Sequence, residues 1–228
     1  MTYTNIQRGS FIARPSRFIA HVEVAGQTEV AHVKNTGRCK ELLLPGREVI
    51  LQKSDNPARK TQYDLIAVWK NQRLINMDSG APNRVFLEHL QSGQYIRGIT
   101  RIKPEAAYGG SRFDFYVEAG TRKLFIETKG VTLEEDGVAM FPDAPTERGV
   151  RHLNELRQCL SEGYEAHVVF VIQMGNVRYF TPNNRLHPAF GAALIAAQEA
   201  GVEVAAFDCK VAEDSLAINR PVPVKLRG

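Results

Sequence analysis

Two short stretches decide the fold of the second half of the chain: SRFDF (residues 111–115) and FIETK (residues 125–129). Both are rich in aromatic and β-branched residues, and a glycine-containing turn sequence lies between them, so they predict two β-strands joined as a hairpin. Alternate residues of a strand share one face, so Glu127 and Lys129 point the same way. Pairing of the two strands brings Asp114 beside them.

This hairpin predicts a divalent-metal site. Asp114 and Glu127 have Phe and Ile neighbours, where ionised carboxylates are costly to bury unless a cation offsets them. Mg²⁺ takes oxygen ligands, keeps several waters, and suits phosphodiester chemistry. Lys129 could orient water or stabilise developing charge. The predicted catalytic set is Asp114, Glu127 and Lys129, with Mg²⁺ or Mn²⁺ as cofactor; an ion pair with Lys129 or Arg112 is the structural alternative.

Composition is typical of a cytoplasmic globular protein with no membrane partner. The 228 residues can form one large or two small domains, and 43% of them are hydrophobic. The longest apolar run, residues 168–174, is only strand-sized, and the N-terminus lacks the pattern of a secretory signal. Cys39, Cys159 and Cys209 are far apart and predict reduced, buried thiols.

Positive charge is concentrated in the first third of the chain. Residues 1–80 contain 12 Lys and Arg against 7 Asp and Glu, whereas residues 81–228 contain 17 against 18. A basic module joined to a near-neutral module with clustered acids is typical of an enzyme that binds a polyanion. A solvated surface that happens to be basic is the alternative.

The first eighty residues predict a small antiparallel barrel, with the OB-fold as the leading candidate. The pattern favours one short helix at residues 39–44 among several strands. The predicted strands lie at residues 11–13, 18–24, 29–33, 48–52, 63–70 and 73–77.

From residue 81 onward, helices alternate with strands, which predicts a mixed-sheet α/β domain at residues 81–228. With the barrel included, the whole chain is of the α+β class. Asn83 is expected to cap a first helix and Thr146 a second, amphipathic helix. Residues 132–145 are expected to form a long loop, and residues 188–200 a third helix. Predicted strands lie at residues 95–102, 112–117, 123–129, 166–172, 177–180 and 202–207.

An Asp followed by Glu-x-Lys on a hairpin between two helices resembles the core of the PD-(D/E)xK nuclease superfamily. More narrowly, blocks over most of the chain resemble the sugar fermentation stimulation protein A family. The blocks are NTG (35–37), NR (83–84), SRFDF (111–115), IETKGVTL (126–133) and FPDAPTERG (141–149). The resemblance implies an OB-like N-terminal domain, a nuclease-like C-terminal domain, DNA binding and a link to regulation of sugar use.

The resemblance also implies roles for individual residues. The metal carboxylates correspond to Asp114 and Glu127, and the catalytic lysine to Lys129. Glu88, on the predicted first helix, corresponds to a helical acid that often joins such metal sites. Its alternative is an exposed helix glutamate.

Two groups of residues are predicted to bind DNA. Arg148 and His152 lie one turn apart near the start of the second helix, where they could approach a phosphate. A solvated helix face is the alternative for this pair. The second group comprises the basic residues in or beside the barrel loops: Arg14, Arg17, Lys34, Arg38, Lys40, Lys53, Arg59 and Lys60.

Three functions compete at this point. The first is a Mg²⁺-dependent nuclease that hydrolyses DNA. The second is a non-catalytic DNA-binding regulator of sugar (maltose-type) metabolism genes. The third, a sugar-phosphate binding protein, lacks support from any glycine-rich phosphate loop. The sequence leaves open whether DNA is cut, whether it is single- or double-stranded, and the oligomeric state.

Overall fold

The computed structural model describes residues 1–227, and its first part is a six-stranded sheet. The strand order is β3-β2-β1-β4-β5-β6, and β3 also pairs with β5, so the first five strands close into a barrel. The predicted OB-like barrel is therefore confirmed. The strands are β1 (Ile6–Ser16), β2 (Ile19–Val24), β3 (Gln27–Val33), β4 (Glu48–Lys53), β5 (Tyr63–Lys70) and β6 (Arg73–Asn76).

Alternating side chains fill the barrel. Val22 on β2, Val33 on β3 and Leu65 on β5 are fully buried, because every second residue of these strands points inward. Closure through the parallel pairing of β3 with β5 leaves neither strand with an open edge there. The barrel is thus a rigid base for the loops around it.

The second part of the chain is a six-stranded mixed sheet with helices on both faces. The strand order is β15-β14-β12-β9-β8-β7, and β10, β11 and β13 form a separate small sheet. The helices are α1 (Ala81–Gln91), α2 (Glu147–Ser161) and α3 (Pro188–Ala200). The strands are β7 (Ile99–Tyr108), β8 (Ser111–Ala119), β9 (Arg122–Val131), β10 (Leu133–Glu135), β11 (Val138–Phe141), β12 (Glu165–Ile172), β13 (Tyr179–Pro182), β14 (Glu203–Ala212) and β15 (Ser215–Pro221).

Strand β12 explains why helices cover both faces of this sheet. Residues 166–172 are all buried, which is typical of a central strand flanked by parallel neighbours. Val169 packs in the core that contains Phe86 of α1, whereas Phe170 packs in the core that contains Leu153 of α2. The predicted mixed-sheet domain is therefore confirmed.

The barrel is docked on the mixed sheet by buried polar contacts. The Gln173 Nε2 group donates to Asn76 Oδ1 at 2.8 Å, and both residues are about 1% exposed. Lys70 Nζ and Arg73 Nη1 each lie 2.7 Å from a Glu134 carboxylate oxygen. These contacts hold the two parts together, and the boundary after residue 80 stays a prediction.

Several predicted elements need correction. Residues 39–44 form turns instead of a helix, because Arg47 Nη1 donates to backbone carbonyls of this segment and holds it as a loop. Helix α1 begins at Ala81, with Gly80 at the N-cap, so Asn83 is not the cap. Residues 132–145 contain the β10–β11 hairpin, and β7 starts at Ile99 instead of residue 95. The sequence pattern also missed β15 entirely.

No helix within residues 1–227 is long and apolar enough to cross a membrane. The three cysteines, Cys39, Cys159 and Cys209, are all buried and none forms a disulfide.

Candidate functional site

The candidate site begins where β8 and β9 separate. Their ladder ends at the pair Phe115–Ile126, and the next carboxylate, that of Asp114, accepts the backbone N–H of Thr128 at 2.7 Å. Opposite Asp114 on β7, Glu105 has a φ of +51°, which is uncommon for a residue with a side chain. The sheet is therefore distorted here. The Asp114 carboxylate, instead of a backbone carbonyl, accepts the N–H of Thr128.

Helix α1 supplies the next partner of Asp114. Asn83, in the first turn, donates from Nδ2 to Asp114 Oδ1 at 2.7 Å. The Thr128 hydroxyl donates to the other oxygen, Oδ2, also at 2.7 Å. Asn83 and Thr128 therefore fix both oxygens of this carboxylate. The sequence pattern predicted a capping role for Asn83, and nothing in the spacing linked Asn83 to Asp114.

Glu127 is 4% exposed and has an uneven set of partners. Its Oε1 atom accepts hydrogen bonds from Lys129 Nζ and from His152 Nδ1, the latter at 2.6 Å. Its Oε2 atom is buried and has no hydrogen-bond partner among residues 1–227. A buried carboxylate oxygen without a donor is costly, so this atom requires an explanation.

His152 lies on the inner face of α2, and its prediction as a DNA contact is corrected. It is 2% exposed, so its ring offers almost no surface to a ligand in solvent. Its Nε2 atom accepts from Arg148 Nε at 3.3 Å, which leaves Nδ1 to carry the proton that is donated to Glu127. A solvated helix face, the alternative for this pair, does not describe His152 either, because His152 is buried against Glu127.

The two carboxylates have opposite pKa shifts. Burial raises the pKa of Asp114 above its ordinary value, and the negative charge of Glu127 adds to this effect. Burial would also raise the pKa of Glu127, but the hydrogen bond from His152 and the charge of Lys129 outweigh it, and its pKa is lowered. The site therefore holds one firmly ionised carboxylate beside one that gains a proton more readily.

Metal binding is constrained by the number of ligands. Within residues 1–227, no group of three or more His, Cys, Asp and Glu side chains is arranged to hold a metal ion. Mg²⁺ commonly uses only one or two carboxylates and completes its shell with water. Asp114 and Glu127 fit that smaller requirement, because both supply carboxylate oxygens and Glu127 Oε2 is buried with no partner in the described part of the chain.

Glu88 does not lie with these carboxylates. It is exposed on α1, and its Oε2 atom accepts from the N-terminal amino group of Met1 at 2.7 Å. Asn83 is five residues earlier in the helix, about 140° away around its axis, so the two side chains leave opposite sides. The predicted third metal ligand is therefore corrected: the structure gives Glu88 an ion pair with the N-terminus.

Three of the predicted DNA-binding residues of the barrel have partners within the protein. Arg14 donates to the backbone carbonyls of residues 35, 37 and 38. Lys34 Nζ lies 2.8 Å from buried Asp78, and Arg59 binds Asp64 through two nitrogens at 2.7 and 3.1 Å. These side chains stabilise loops and strands, which reduces what they can offer a ligand.

The remaining predicted barrel residues are exposed. Arg17, Arg38 and Lys40 line a groove of about 350 Å³, which we call the barrel groove and which Arg14 and Leu43 also border. Lys53 and Lys60 are exposed at or near the loop that follows β4. The barrel groove is thus the place where the predicted basic residues converge.

A closed OB-type barrel joined to a mixed-sheet domain defines a class of two-part proteins. Residues 12–77 match the SfsA N-terminal OB domain, and residues 80–215 match the sugar fermentation stimulation protein RE domain. The second match covers more than half of the chain. The chain therefore belongs to the sugar fermentation stimulation protein (SfsA) family.

Relatives share this organisation over their full length. A sugar fermentation stimulation protein homolog from Desulfitobacterium hafniense (strain Y51) is 60% identical over 226 residues, or 99% of each chain. One from Clostridium botulinum (strain Langeland / NCTC 10281 / Type F) is 47% identical and covers 97% of this chain and 98% of its own. A solved structure, that of Pyrococcus furiosus SfsA in complex with Ca²⁺, is 29% identical, has a TM-score of 0.88, and covers 99% and 98% of the two chains. The fold is thus common to distant members.

Proposed function

We propose that this protein binds DNA and hydrolyses its phosphodiester bonds with the help of Mg²⁺ or Mn²⁺. The observation that carries the proposal is Glu127 Oε2, a buried carboxylate oxygen to which no group within residues 1–227 donates a hydrogen bond. It lies beside a second, half-buried carboxylate, that of Asp114, whose pKa is raised by burial and by the charge of Glu127. A divalent cation between the two would offset both charges.

Asp114 and Glu127 would hold the metal ion through carboxylate oxygens. When bound, Mg²⁺ supplies positive charge for a phosphate oxygen and lowers the pKa of a coordinated water. The Pyrococcus furiosus relative was solved in complex with Ca²⁺, which supports a divalent cation as a ligand of this chain. The three donor groups already bound to Asp114 leave it held in place for such a ligand role.

The other residues of the site would position these groups and balance charge. His152 donates its Nδ1 proton to Glu127 and so keeps that carboxylate ionised and oriented. Lys129 is two residues further along β9; its side chain is 14% exposed, and its ammonium contacts the same carboxylate. It could turn from Glu127 toward a phosphate oxygen and stabilise the charge that develops there.

Calorimetric titration of the protein with Mg²⁺ or Mn²⁺ tests the metal site. Mg²⁺ and Mn²⁺ should bind wild-type protein, and Asp114→Asn and Glu127→Gln should each weaken binding at least tenfold, because each removes a ligand charge. Glu88→Gln is the matched control: it removes a carboxylate that the structure places elsewhere, and it should bind like wild type. Equal binding by Asp114→Asn and wild-type protein would place any metal outside this site.

Incubation of purified protein with labelled single- and double-stranded DNA tests the chemistry. Cleavage should require the divalent metal and should be lost in Asp114→Asn and Glu127→Gln. Wild-type protein that is inert with every metal and every DNA form would end the nuclease proposal.

A non-catalytic DNA-binding regulator is the second candidate. It is favoured by the two hydrogen bonds that Glu127 Oε1 already accepts, from Lys129 and from His152. This arrangement resembles a structural ion pair. This candidate predicts DNA binding that is unaffected by Asp114→Asn and is not followed by cleavage. The same two assays therefore separate the candidates.

A further inference from the structure

A groove of about 380 Å³ opens between the β7–β8 turn and helix α2. We call it the arginine groove, because three guanidinium groups line it: those of Arg112, Arg148 and Arg151. Gly109 and Gly110 form the turn at its edge, and a Cβ atom at either position would meet nothing within 4 Å. The turn therefore leaves open space in which a ligand can approach the backbone.

The acids near these arginines hold them only loosely. Arg112 lies 3.8 Å from Glu105, and Arg151 lies 3.9 Å from Glu155, with both arginine side chains more than 60% exposed. Exposed pairs of this kind contribute little to stability and are readily exchanged for another anion. Arg148 has no carboxylate partner among residues 1–227. Its Nε atom donates a hydrogen bond to His152.

Neither acid lines the groove itself. Glu155 Oε1 accepts a hydrogen bond from the Ser111 hydroxyl at 2.7 Å, and its Oε2 atom is buried. Within residues 1–227, the groove lining therefore contains three arginines and no carboxylate. The groove presents an excess of positive charge in planar, fork-shaped donors that match phosphate oxygens.

The arginine groove adjoins the candidate site. His152 lines the groove, and on its other side its Nδ1 atom contacts Glu127 at 2.6 Å. A chain of phosphates that lies in the groove would therefore pass within one side chain of the Glu127 carboxylate. A cluster of anion-binding groups at this place is what a polynucleotide cut at Glu127 would require.

We propose that the arginine groove binds the phosphate backbone of DNA beside the phosphodiester bond that reacts, with Arg112 and Arg151 as direct phosphate contacts. The proposal rests on the proposed function and adds a second phosphate-binding surface. The net charge of the second part of the chain does not indicate this surface. Residues 81–228 are nearly neutral overall, yet three of their twelve arginines converge at one place.

Fluorescence anisotropy with labelled duplex DNA tests the groove between 50 and 200 mM salt. Arg112→Gln and Arg151→Gln should each weaken binding several-fold at low salt and reduce the slope of log affinity against log salt by about 0.9, the value for one lost phosphate contact. Arg157→Gln is the matched control, because Arg157 is exposed on the same helix and does not line the groove. Thermal unfolding should show that all three variants fold.

The outcomes separate this inference from the proposed function. If wild-type protein binds DNA and Arg151→Gln has the same affinity and slope as Arg157→Gln, the groove is not a phosphate site and the proposed function stands. If wild-type protein binds no DNA at low salt, the proposed function fails and the groove loses its ligand with it.

Discussion

Lys129 has two interpretations with different consequences. Its ammonium is mostly buried and binds Glu127 Oε1, so it is either a structural partner or a group that acts on the reacting phosphate. His152 binds the same oxygen, and Glu127 therefore keeps one donor when Lys129 is removed. This second donor makes a functional role testable without collapse of the site.

We expect Lys129→Met to lower DNA cleavage by about 10²-fold, the usual scale for one charge-stabilising or acid–base group. DNA affinity should stay near the wild-type value, because the phosphate-binding grooves are unchanged. Cleavage rate, anisotropy and urea unfolding are measured on the same preparation. A loss of roughly 3–5 kcal/mol in the free energy of unfolding would instead identify a structural ion pair.

His167 gives a pH dependence that does not involve the candidate site. Burial lowers the pKa of His167 to about 4, and its Nδ1 atom lies 2.7 Å from the Tyr95 hydroxyl. Between pH 6.5 and 4 the unfolded chain binds a proton that the folded protein does not, so stability falls as the pH falls. This loss of stability is absent above about pH 6.5. It grows as the pH falls, until the pH reaches the pKa of His167 in the folded protein.

We therefore expect wild-type protein to lose about 2 kcal/mol more free energy of unfolding than His167→Asn between pH 7 and pH 5, because pH 5 lies 1.5 units below the ordinary pKa of 6.5. Urea unfolding at the two pH values measures this difference. Parallel losses in both proteins would show that His167 does not titrate as a buried neutral group.

The sequence predicted the core of the candidate site because its members are close along the chain. Period-two alternation places Glu127 and Lys129 on one face, and the short turn makes Asp114 a neighbour. Asn83 and His152 come from helices more than twenty residues away, and no local pattern indicates which way these side chains point. Glu88 was misplaced for the same reason.

Helix α2 carries both His152 and the arginine groove, so its first turn affects the site. Thr146 is the N-cap, and its Oγ1 atom accepts the backbone N–H of Gly149 at 3.0 Å. We expect Thr146→Ala to lower the free energy of unfolding by about 1 kcal/mol, and Thr146→Ser to retain most of it. Urea unfolding of the two variants checks this, and equal losses would mean that the hydroxyl does not cap the helix.

Regular elements were predicted better than the connections between them. The strong apolar periodicity of α2 and the continuous apolar run of β12 each identify an element without tertiary information. Residues 39–44 contain three leucines and look helical, but Arg47 binds the carbonyls of this segment. That contact depends on tertiary folding, so the local sequence could not exclude a helix.

The barrel packs against the short segment that precedes α2, and α2 carries His152 of the candidate site. Asp143 packs so closely on Gly37 that a Cβ atom at Gly37 would lie 2.0 Å from Asp143 Oδ2. Burial raises the pKa of Asp143, while the charges of Arg14 and Arg38 oppose that effect. Asp143 and Arg148 are five positions apart, so at most about 18 Å of chain connects Asp143, which packs on Gly37 of the barrel groove, with Arg148 of the arginine groove.

That proximity suggests that one DNA backbone contacts both grooves. We expect the triple variant Arg17→Gln, Arg38→Gln and Lys40→Gln to reduce the salt slope of duplex binding by about 2–3, because each lost phosphate contact removes about 0.9. Affinity should fall alike for unrelated DNA sequences, since phosphate contacts carry no base information. Anisotropy over the same salt range measures both effects.

The matched control removes the same charge from outside both grooves. Arg122, Arg185 and Arg227 are exposed and each pairs with a surface glutamate, so their replacement by Gln should cost little stability. This second triple variant has an equal net charge, and its salt slope should stay near that of wild-type protein. Equal slopes for the two triple variants would mean that net charge alone attracts DNA and that the barrel groove makes no specific phosphate contacts.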